Sequence, residues 1–460
     1  MRLASLSAAT AAALFLLAGC ATTQPPAITA GQLPARWDAP HTDTEAAPAP
    51  DWWMAFGSSQ LDALITRGVR DGFDLAIARQ RLEQARGQSA IARAGLLPAL
   101  DAAAAAARGT SSVARTASLQ ASMDLDFAGG NAALRDSAAA LVDAAVSDVD
   151  AARSTVAAAI ANGYFQVLCL DERIRLARLI ADSSRQTLQL VETQARLGAT
   201  SQLEVEQQRN ALQTVEATVP ALAQQRAQAV GDLAVLLGAM PEGFGVDPEG
   251  LQALQVPDVP ATSPADAIAR LPQVRTAEAQ LRSANFDVAV ARAAFLPKLT
   301  VSATLGAAFN PAQAIWSLAG SALQPLFDGG QRAGQLDVDR ARAEELVLAY
   351  RKAIAQGLQT AETQMHAVAA TRDTERIEEA AVVSARRALE LSRVRLQYGT
   401  TDFLNVLLGQ RTLYQAEDAV LQTRLQRLQA AVSLYVALGA GQPAGASLAR
   451  TESPTTKQSS

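Results

Sequence analysis

The side chains that most often carry metal or nucleophile chemistry are scarce in this chain, which has two histidines and two cysteines in 460 residues. His41 lies in a proline-rich leader and His366 in a predicted helix, far apart in the sequence. This spacing matches no metal-ligand or catalytic pattern, and no pair of candidate catalytic acids is clustered. The sequence therefore predicts that the protein is not an enzyme and holds no cofactor and no metal ion.

Cys20 is the residue whose surroundings predict a chemical modification. An apolar stretch at residues 3–17, too short to span a bilayer, leads into Leu17-Ala18-Gly19-Cys20. This order resembles a bacterial lipobox, which implies that residues 1–19 are a lipoprotein signal peptide and that Cys20 receives the lipid, palmitate included. Ala21, in place of an aspartate, favours the outer membrane. The alternative is an ordinary secretory signal that happens to contain a cysteine.

The composition and charge of the chain argue against a nucleic-acid partner. The chain is 18% charged and 49% hydrophobic, with a net charge of -5 and a pI near 5.3. It has no basic patch, so we expect no nucleic-acid partner.

Residues 20–50, with six prolines, are predicted to form an extended, lipidated tether with little to bury. Residues 440–460 are predicted to be a disordered tail.

A long segment of the chain is present twice. Residues 131–238 align without a gap on a second segment that lies 201 positions later. From the pair Gly198 and Gly399 to the pair Gly238 and Gly439, 15 of 41 aligned positions are identical. We interpret this as an internal duplication.

Each copy predicts a very long helix followed by a tight turn and a return helix. From Asn131 to Leu197 no proline interrupts a ladder of small or apolar residues that includes Leu134 and Leu141. At about 1.5 Å of rise per residue, this helix would be roughly 100 Å long. The ladder repeats about every 3.6 residues, which predicts one face packed against neighbouring helices.

A β-hairpin is predicted before each long helix, at about residues 99–127 and 298–327. Apolar and polar residues alternate in segments 118–127 and 299–309, as in a sheet with one face on lipid and the other in water. The first of the four strands is mostly alanine, and the sequence pattern of the last is irregular. The evidence that these two segments form strands is therefore weaker. The polar residues expected in the interior of a barrel are Gln120, Asp124 and Asp126.

Four strands cannot close a barrel by themselves. Open sheet edges are not tolerated in lipid, so several chains would have to share one barrel. Three chains would supply 12 strands. A small soluble sheet is the alternative interpretation.

From Cys20 to Gly439 the chain resembles the TolC-like family of outer membrane efflux channels, and most of all its lipidated NodT-type branch. The resemblance rests on four features: the lipobox, Trp52-Trp53-Met54-Ala55-Phe56-Gly57, the duplicated Pro98 and Pro297 turns, and Tyr398-Gly399-Thr400-Thr401-Asp402-Phe403-Leu404-Asn405-Val406-Leu407 with Gln410-Arg411-Thr412-Leu413-Tyr414 after it.

The resemblance implies a mainly α fold with a membrane β part. In a homotrimer, the long helical hairpins at 131–238 and 331–439 would form a periplasmic α-barrel of 12 helices. The strands would form a 12-stranded barrel in outer membrane lipid. The first repeat would cover residues 51–238, the crossover linker 239–265 and the second repeat 266–439.

The same resemblance implies a trimeric multidrug-type efflux channel that gives small molecules an exit across the periplasm and the outer membrane. An inner-membrane pump of the resistance-nodulation-division type would deliver the cargo with a periplasmic adaptor protein. The adaptor contacts carried over by resemblance are Leu197, Gly198, Thr200, Ser201, Tyr398, Gly399, Thr400 and Asp402. Relatives often have an acid where this chain has Leu408, so the entrance would be gated by Asp402 and Asn405, or by an apolar ring near Leu408.

The sequence leaves two other functions open. A type I protein secretion conduit would have the same architecture, and only its partners would distinguish it. A structural periplasmic coiled-coil lipoprotein would have the long helices without a barrel, and the alternation in the predicted strands speaks against it.

Overall fold

Eight α-helices and four strands follow one another in the described part of this computed structural model, which comprises residues 33–40, 48–108, 113–309, 312–398 and 400–441. The elements are α1 Ser59–Asp71, α2 Phe73–Ala94, β1 Ala99–Arg108, β2 Val113–Leu125, α3 Gly130–Arg196, α4 Gln202–Leu236, α5 Pro264–Arg270, α6 Pro272–Ala293, β3 Lys298–Phe309, β4 Ala312–Leu323, α7 Gln331–Gln397 and α8 Phe403–Ala437. Cys20 and Gly399 lie outside the described residues. None of the helices in those ranges contains a stretch with the length and hydropathy that a membrane-spanning helix requires.

The duplication seen in the sequence is also present in the structure. Two helices, two strands and two long helices appear in the same order in each half of the chain. The long helices α3 and α7 have 67 residues each, and the return helices α4 and α8 have 35 residues each. The predicted long helix from Asn131 to Leu197 is therefore confirmed, with each end displaced by one residue.

Two compact units divide the chain, and neither unit is one of the repeats. The first contains residues 85–144 and 277–350, and the second contains residues 33–84, 145–276 and 351 onward. The first unit holds the four strands with helical segments of both repeats. The second holds both return helices and the crossover between the repeats.

The strands of the first unit form one antiparallel meander in the order β1-β2-β3-β4. Residues that are paired across strands share a face of the sheet. Leu119 of β2 pairs with Leu305 of β3, which pairs with Trp316 of β4, and these large side chains form an exposed apolar row. The next row along the strands is polar and consists of Gln120, Thr304 and Ser317. The alternation predicted from the sequence is confirmed.

Strand β4 is regular, although its own sequence pattern is not. Ile315 and Leu323 interrupt the alternation, because both fall on the polar face of the sheet. Pairing of all twelve residues with β3 nevertheless brings Trp316 and Leu318 to the apolar face. The backbone ladder with β3 therefore determines this strand more than its side-chain pattern does.

In the first unit, the side of α3 that is buried within one chain lies one residue away from the predicted ladder. Leu134 and Leu141 are 45% and 46% exposed. The buried positions there are instead occupied by small residues: Ala133, Ser137, Ala140 and Ala144. The Ser137 hydroxyl lies 2.9 Å from that of Ser283 and donates to Asp287 at 2.7 Å, both on α6. Small side chains turn toward α6 because they allow this close approach.

One part of the core of the second unit is made of aromatic rings that pack against one another. Trp52 is fully buried and stacks on Tyr435 of α8 with ring centroids 5.4 Å apart. Phe56 packs against Phe165 of α3 at 5.1 Å. The segment that precedes α1 therefore joins the first and last long helices of this unit.

The expectation that residues 20–50 bury little is wrong for residues 33–40. Trp37 is buried, and its indole N–H donates to the Thr262 carbonyl at 2.7 Å. The amides of Asp38 and Ala39 donate to the Glu362 carboxylate of α7 at 2.8 and 2.9 Å. A tryptophan in a proline-rich segment can thus fix that segment to the second unit without regular structure. At the other end, Ala440 is buried, and residues 442–460 lie outside the described residues.

We expect Gly238→Ala to destabilise the second unit. Gly238 follows α4 with φ +68°, and a Cβ there would lie 2.2 Å from the Asp71 carbonyl oxygen at the end of α1. The left-handed conformation alone costs about 1–2 kcal/mol for a residue with a side chain. The measurement is the thermal midpoint of the purified trimer in detergent. Gly231→Ala is the matched control, because Gly231 lies inside α4 in open space, where alanine is favoured by about 1 kcal/mol. Equal midpoints for both variants would contradict this account.

Candidate functional site: the helix tips and the adjoining groove

The first tip is a short turn held by backbone and capping hydrogen bonds. Gly198 adopts φ +73°, which ends α3 and lets the Ala199 amide donate to the Gln194 carbonyl at 2.9 Å. Ser201 caps α4: it accepts from the Glu204 amide, and the Glu204 carboxylate accepts from the Ser201 amide and the Thr200 hydroxyl. Leu197 is 79% exposed at the turn. The tip is thus a well-defined turn that presents an apolar side chain.

The second tip repeats the backbone turn but not the cap. The Thr400 amide donates to the Arg395 carbonyl at 2.9 Å, the equivalent of the bond at the first tip. Asp402 occupies the capping position of α8 but makes no side-chain cap. The Asn405 side chain donates instead to the Thr401 hydroxyl at 2.9 Å. Tyr398 is 79% exposed.

Phe403 fixes the start of α8 against the first hairpin. It is buried against Val191 of α3 and Val205 of α4. Further along, the Arg173 guanidinium binds the Asp418 carboxylate at 2.6 and 3.2 Å and links α3 to α8. Burial opposes the charge on Arg173, but the hydrogen bond and charge of Asp418 hold the pKa of Arg173 above its ordinary value.

Each long hairpin carries the same ion pair between its two helices. Arg185 binds Glu216 at 2.7 Å, and 201 positions later Arg386 binds Glu417 at 2.7 Å. Both arginines are exposed, so solvent and salt screen each pair and it stabilises its hairpin only weakly. Their value lies in aligning the two helices of each hairpin in the same register.

A groove of about 870 Å³ runs along the second unit and is lined mainly by α4 and α8. Residues related by the duplication line it from its two sides, 201 positions apart: Leu203 with Leu404, Glu206 with Leu407, Gln207 with Leu408, Asn210 with Arg411 and Thr214 with Gln415. The groove is therefore a pseudo-symmetric feature made by the two copies. Its α4 side is mostly polar, and its α8 side is more apolar near the tip.

The three candidate gate residues do not lie together: two are at the start of α8, and the third is about one turn further along the helix. Asp402 and Asn405 lie exposed at the tip, whereas Leu408 is 49% exposed in the groove. Leu404, also 49% exposed, lies one turn before Leu408 on the same face. The sequence analysis did not assign Leu404 or Arg411 to the gate, although both fall on the helical period of Leu408.

The polar residues predicted for a barrel interior have different surroundings. Asp124 lies on the polar face of the sheet with Gln120, and it pairs with the Lys298 ammonium at 2.9 Å. The prediction for Asp126 is wrong, because its carboxylate accepts from the Asn131 and Ala132 amides at 2.9 and 2.7 Å. Asp126 follows the end of β2 and stabilises the start of α3 instead.

Asp101 is a residue of the polar face that the sequence analysis missed. It pairs in register with Gln120, so it shares the face of Asp124. The run of alanines that follows it hides the alternation of β1. Only the pairing with β2 shows on which face it lies.

Cys169 has the surroundings of a structural thiol. It is buried in α3, with its Sγ 3.6 Å from the Leu421 carbonyl oxygen of α8. Burial raises the pKa of Cys169 to about 12, which keeps it protonated and unreactive. Within the described ranges, no group of three or more His, Cys, Asp or Glu side chains is arranged to hold a metal ion.

Comparison with known proteins agrees with this architecture. The family model for outer membrane efflux proteins matches residues 71–239 and 264–440. The pyoverdine export outer membrane protein OpmQ of Pseudomonas aeruginosa is 36% identical over 93% of this chain and 95% of that protein. Its counterpart in Pseudomonas putida is 34% identical over 92% of this chain and 95% of that protein.

A solved structure of the outer-membrane channel OprN has the same fold. It superimposes with a TM-score of 0.85 at 24% identity, and the match covers 92% of this chain and all of that one. The expected fold class is confirmed, as are the efflux function, the outer membrane location and the homotrimer that works with an adaptor and an inner-membrane pump. With two structural repeats, a sheet that has one apolar face, and relatives that match over nearly their full length, this chain belongs to the outer membrane efflux protein family.

Proposed function

We propose that this channel is the outer membrane exit for a small secreted molecule of the pyoverdine kind. The observation that carries the proposal is the similarity to two pyoverdine export proteins over nearly the whole length of each. Such a match includes both tips, the groove and the sheet, and so covers every part of the chain that a cargo would pass.

The channel takes no part in covalent chemistry. The inner-membrane pump supplies the free energy, and the channel supplies a path. Docking of the adaptor at the tips shifts a closed entrance toward an open one, because the adaptor binds the open arrangement more tightly. The ion pairs and apolar contacts that align the hairpins hold the closed arrangement until then.

The adaptor docks on the two tips of each chain. Two exposed side chains, Leu197 and Tyr398, support this assignment, since both stand on turns whose backbone is fixed by hydrogen bonds. A fixed turn loses little conformational entropy when a partner binds. The remaining contacts of the docking surface are Gly198, Thr200, Ser201, Gly399, Thr400 and Asp402.

The entrance gate is an apolar collar of Leu408 with Leu404, and Asp402 and Asn405 lie outside it at the tip. Both leucines are about half exposed in one chain, although leucine side chains are stabilised by burial. Burial against the same residues of two further copies would close the entrance.

The N-terminus is anchored by lipid at Cys20. The segment after it is long enough to connect a lipid to Trp37, which fixes the chain to the second unit. The two repeats, 51–238 and 266–439, and the linker 239–265 then act together as one channel subunit.

Expression of this chain in a Pseudomonas aeruginosa strain that lacks OpmQ should restore pyoverdine in the culture medium and remove it from the periplasm. The measurement is pyoverdine in both fractions by mass spectrometry. Leu197→Asp should abolish this recovery, because a charge on the exposed tip opposes an apolar contact. Met240→Asp, at a residue 73% exposed in the linker, is the control. Normal secretion by Leu197→Asp would refute the tip assignment, and failure of the unaltered chain would refute the cargo.

Purified trimers of Leu408→Ala should conduct more often, and in larger steps, than unaltered trimers in planar lipid bilayers. Removing three leucine side chains widens the collar and takes away apolar surface that is buried in the closed state. Met240→Ala should behave like the unaltered protein. A trimer of verified mass that conducts equally with and without Leu408 would contradict the collar.

Cys20→Ser should abolish incorporation of labelled palmitate, because the thiol that forms the thioether is absent. Cys169→Ser should keep the label, since that thiol is buried and protonated. Labelled palmitate is followed in membranes from cells that express each variant. Label retained in Cys20→Ser would show that the lipid is attached elsewhere or that the N-terminus is processed differently.

A further inference from the structure

We propose that the entrance selects anions, and that Arg411 is the residue that makes it do so. This inference rests on the position of the entrance proposed above and adds the charge class of the cargo. The molecules that pass would carry carboxylate, phosphate or similar anionic groups.

Arg411 shares the exposed face of α8 with the two collar leucines. Leu404, Leu408 and Arg411 follow each other at spacings of four and three residues, which places them on one stripe of a helix. All three line the same groove. Arg411 therefore lies about one turn beyond the collar, on the side away from the tip.

The guanidinium of Arg411 is not neutralised by a neighbouring acid. Within the described residues it makes no ion pair and no hydrogen bond. The acid across the groove, Glu206, is bound by the Arg209 guanidinium, which it shares with Glu192. Glu417, further along α8, is bound by Arg386. Asp418 is bound by Arg173. Among the described residues that line this groove, Arg411 is thus a cation whose own ion-pair partner is absent.

Asp402 does not cancel this charge. It lies nine residues before Arg411, which is about 13 Å along the helix. That separation exceeds the screening length of about 8 Å at physiological salt. Asp402 also lies at the N-terminus of α8, where the helix dipole offsets a negative charge in part.

The duplication shows that this arrangement belongs to the second copy alone. The equivalents of Leu408 and Arg411 in α4 are Gln207 and Asn210, which are polar and uncharged. One chain therefore contributes one cation and one collar leucine at this level. A trimer would present three guanidinium groups around its axis.

A ring of three cations at a constriction attracts anions and repels cations. Charge selectivity is determined where the path is narrowest, since there every ion passes close to the wall. Apolar walls strengthen the field, because they are less polarisable than water. Guanidinium groups also match carboxylate and phosphate oxygens with two parallel hydrogen bonds.

Inositol hexakisphosphate is a suitable probe of the ring in the unaltered, closed trimer. We expect isothermal titration calorimetry to show one molecule bound per trimer, with weaker binding as salt increases. Arg411→Gln should weaken binding about tenfold or more, because three charge-assisted contacts are lost. Arg411→Lys should keep most of it. Arg67→Gln, at an exposed arginine of α1, is the control and should change nothing. Binding unchanged in Arg411→Gln would overturn the proposal.

Ion selectivity in an opened channel gives a second, separate test. In trimers of Leu408→Ala, the reversal potential in a tenfold KCl gradient should indicate preference for chloride. Adding Arg411→Gln should lower the chloride-to-potassium permeability ratio by about twofold or more. If Leu408→Ala fails to conduct, the collar is refuted and calorimetry alone decides on Arg411. If Leu408→Ala conducts with an unchanged ratio after Arg411→Gln, the collar stands and the anion selectivity is refuted.

Discussion

An unpaired sheet edge cannot remain in lipid, and this constraint determines the assembly of the whole protein. In the described part of the chain the meander has two edges, β1 and β4, whose outer N–H and C=O groups pair with no further strand. Each such group costs several kcal/mol in hydrocarbon, so the edges must pair with other copies. The homotrimer of this family satisfies the constraint by joining three sheets into one closed barrel. Trimer formation is thus a condition for insertion into the membrane.

The second repeat has the architecture of the first, although most aligned residues differ. The common features are helix lengths, turn geometry and the ion pairs Arg185 with Glu216 and Arg386 with Glu417. The differences include the tip and the groove, where the Ser201 cap becomes an uncapped Asp402 and Gln207 becomes Leu408. A duplicated hairpin keeps the contacts that align its helices, and its exposed faces are free to diverge because they carry little stability.

Two groups that could react elsewhere, the Cys169 thiol and the Tyr164 hydroxyl, are buried in this structure. The Cys169 thiol is protonated and buried, and the Tyr164 hydroxyl is buried with a hydrogen bond of 2.6 Å to Glu249. Burial raises the pKa of Tyr164 well above its ordinary value, and the hydrogen bond to Glu249 adds to this effect. These groups hold the crossover and the helices together.

The sequence by itself determined the type and the succession of the main structural elements of this protein. Its 201-residue repeat, proline-free helices and alternating strands predicted the helical hairpins and the sheet with one apolar face, because these patterns follow from the periods of helix and strand. The tertiary structure decided details that depend on a neighbouring element. It moved the buried seam of α3 from Leu134 to Ala133, because close packing on α6 favours small side chains. It assigned Asp126 to the start of α3, brought Trp37 into the core and placed Asp101 on the polar face of the sheet. Local periodicity cannot specify such choices, since each depends on a partner that is distant in the sequence.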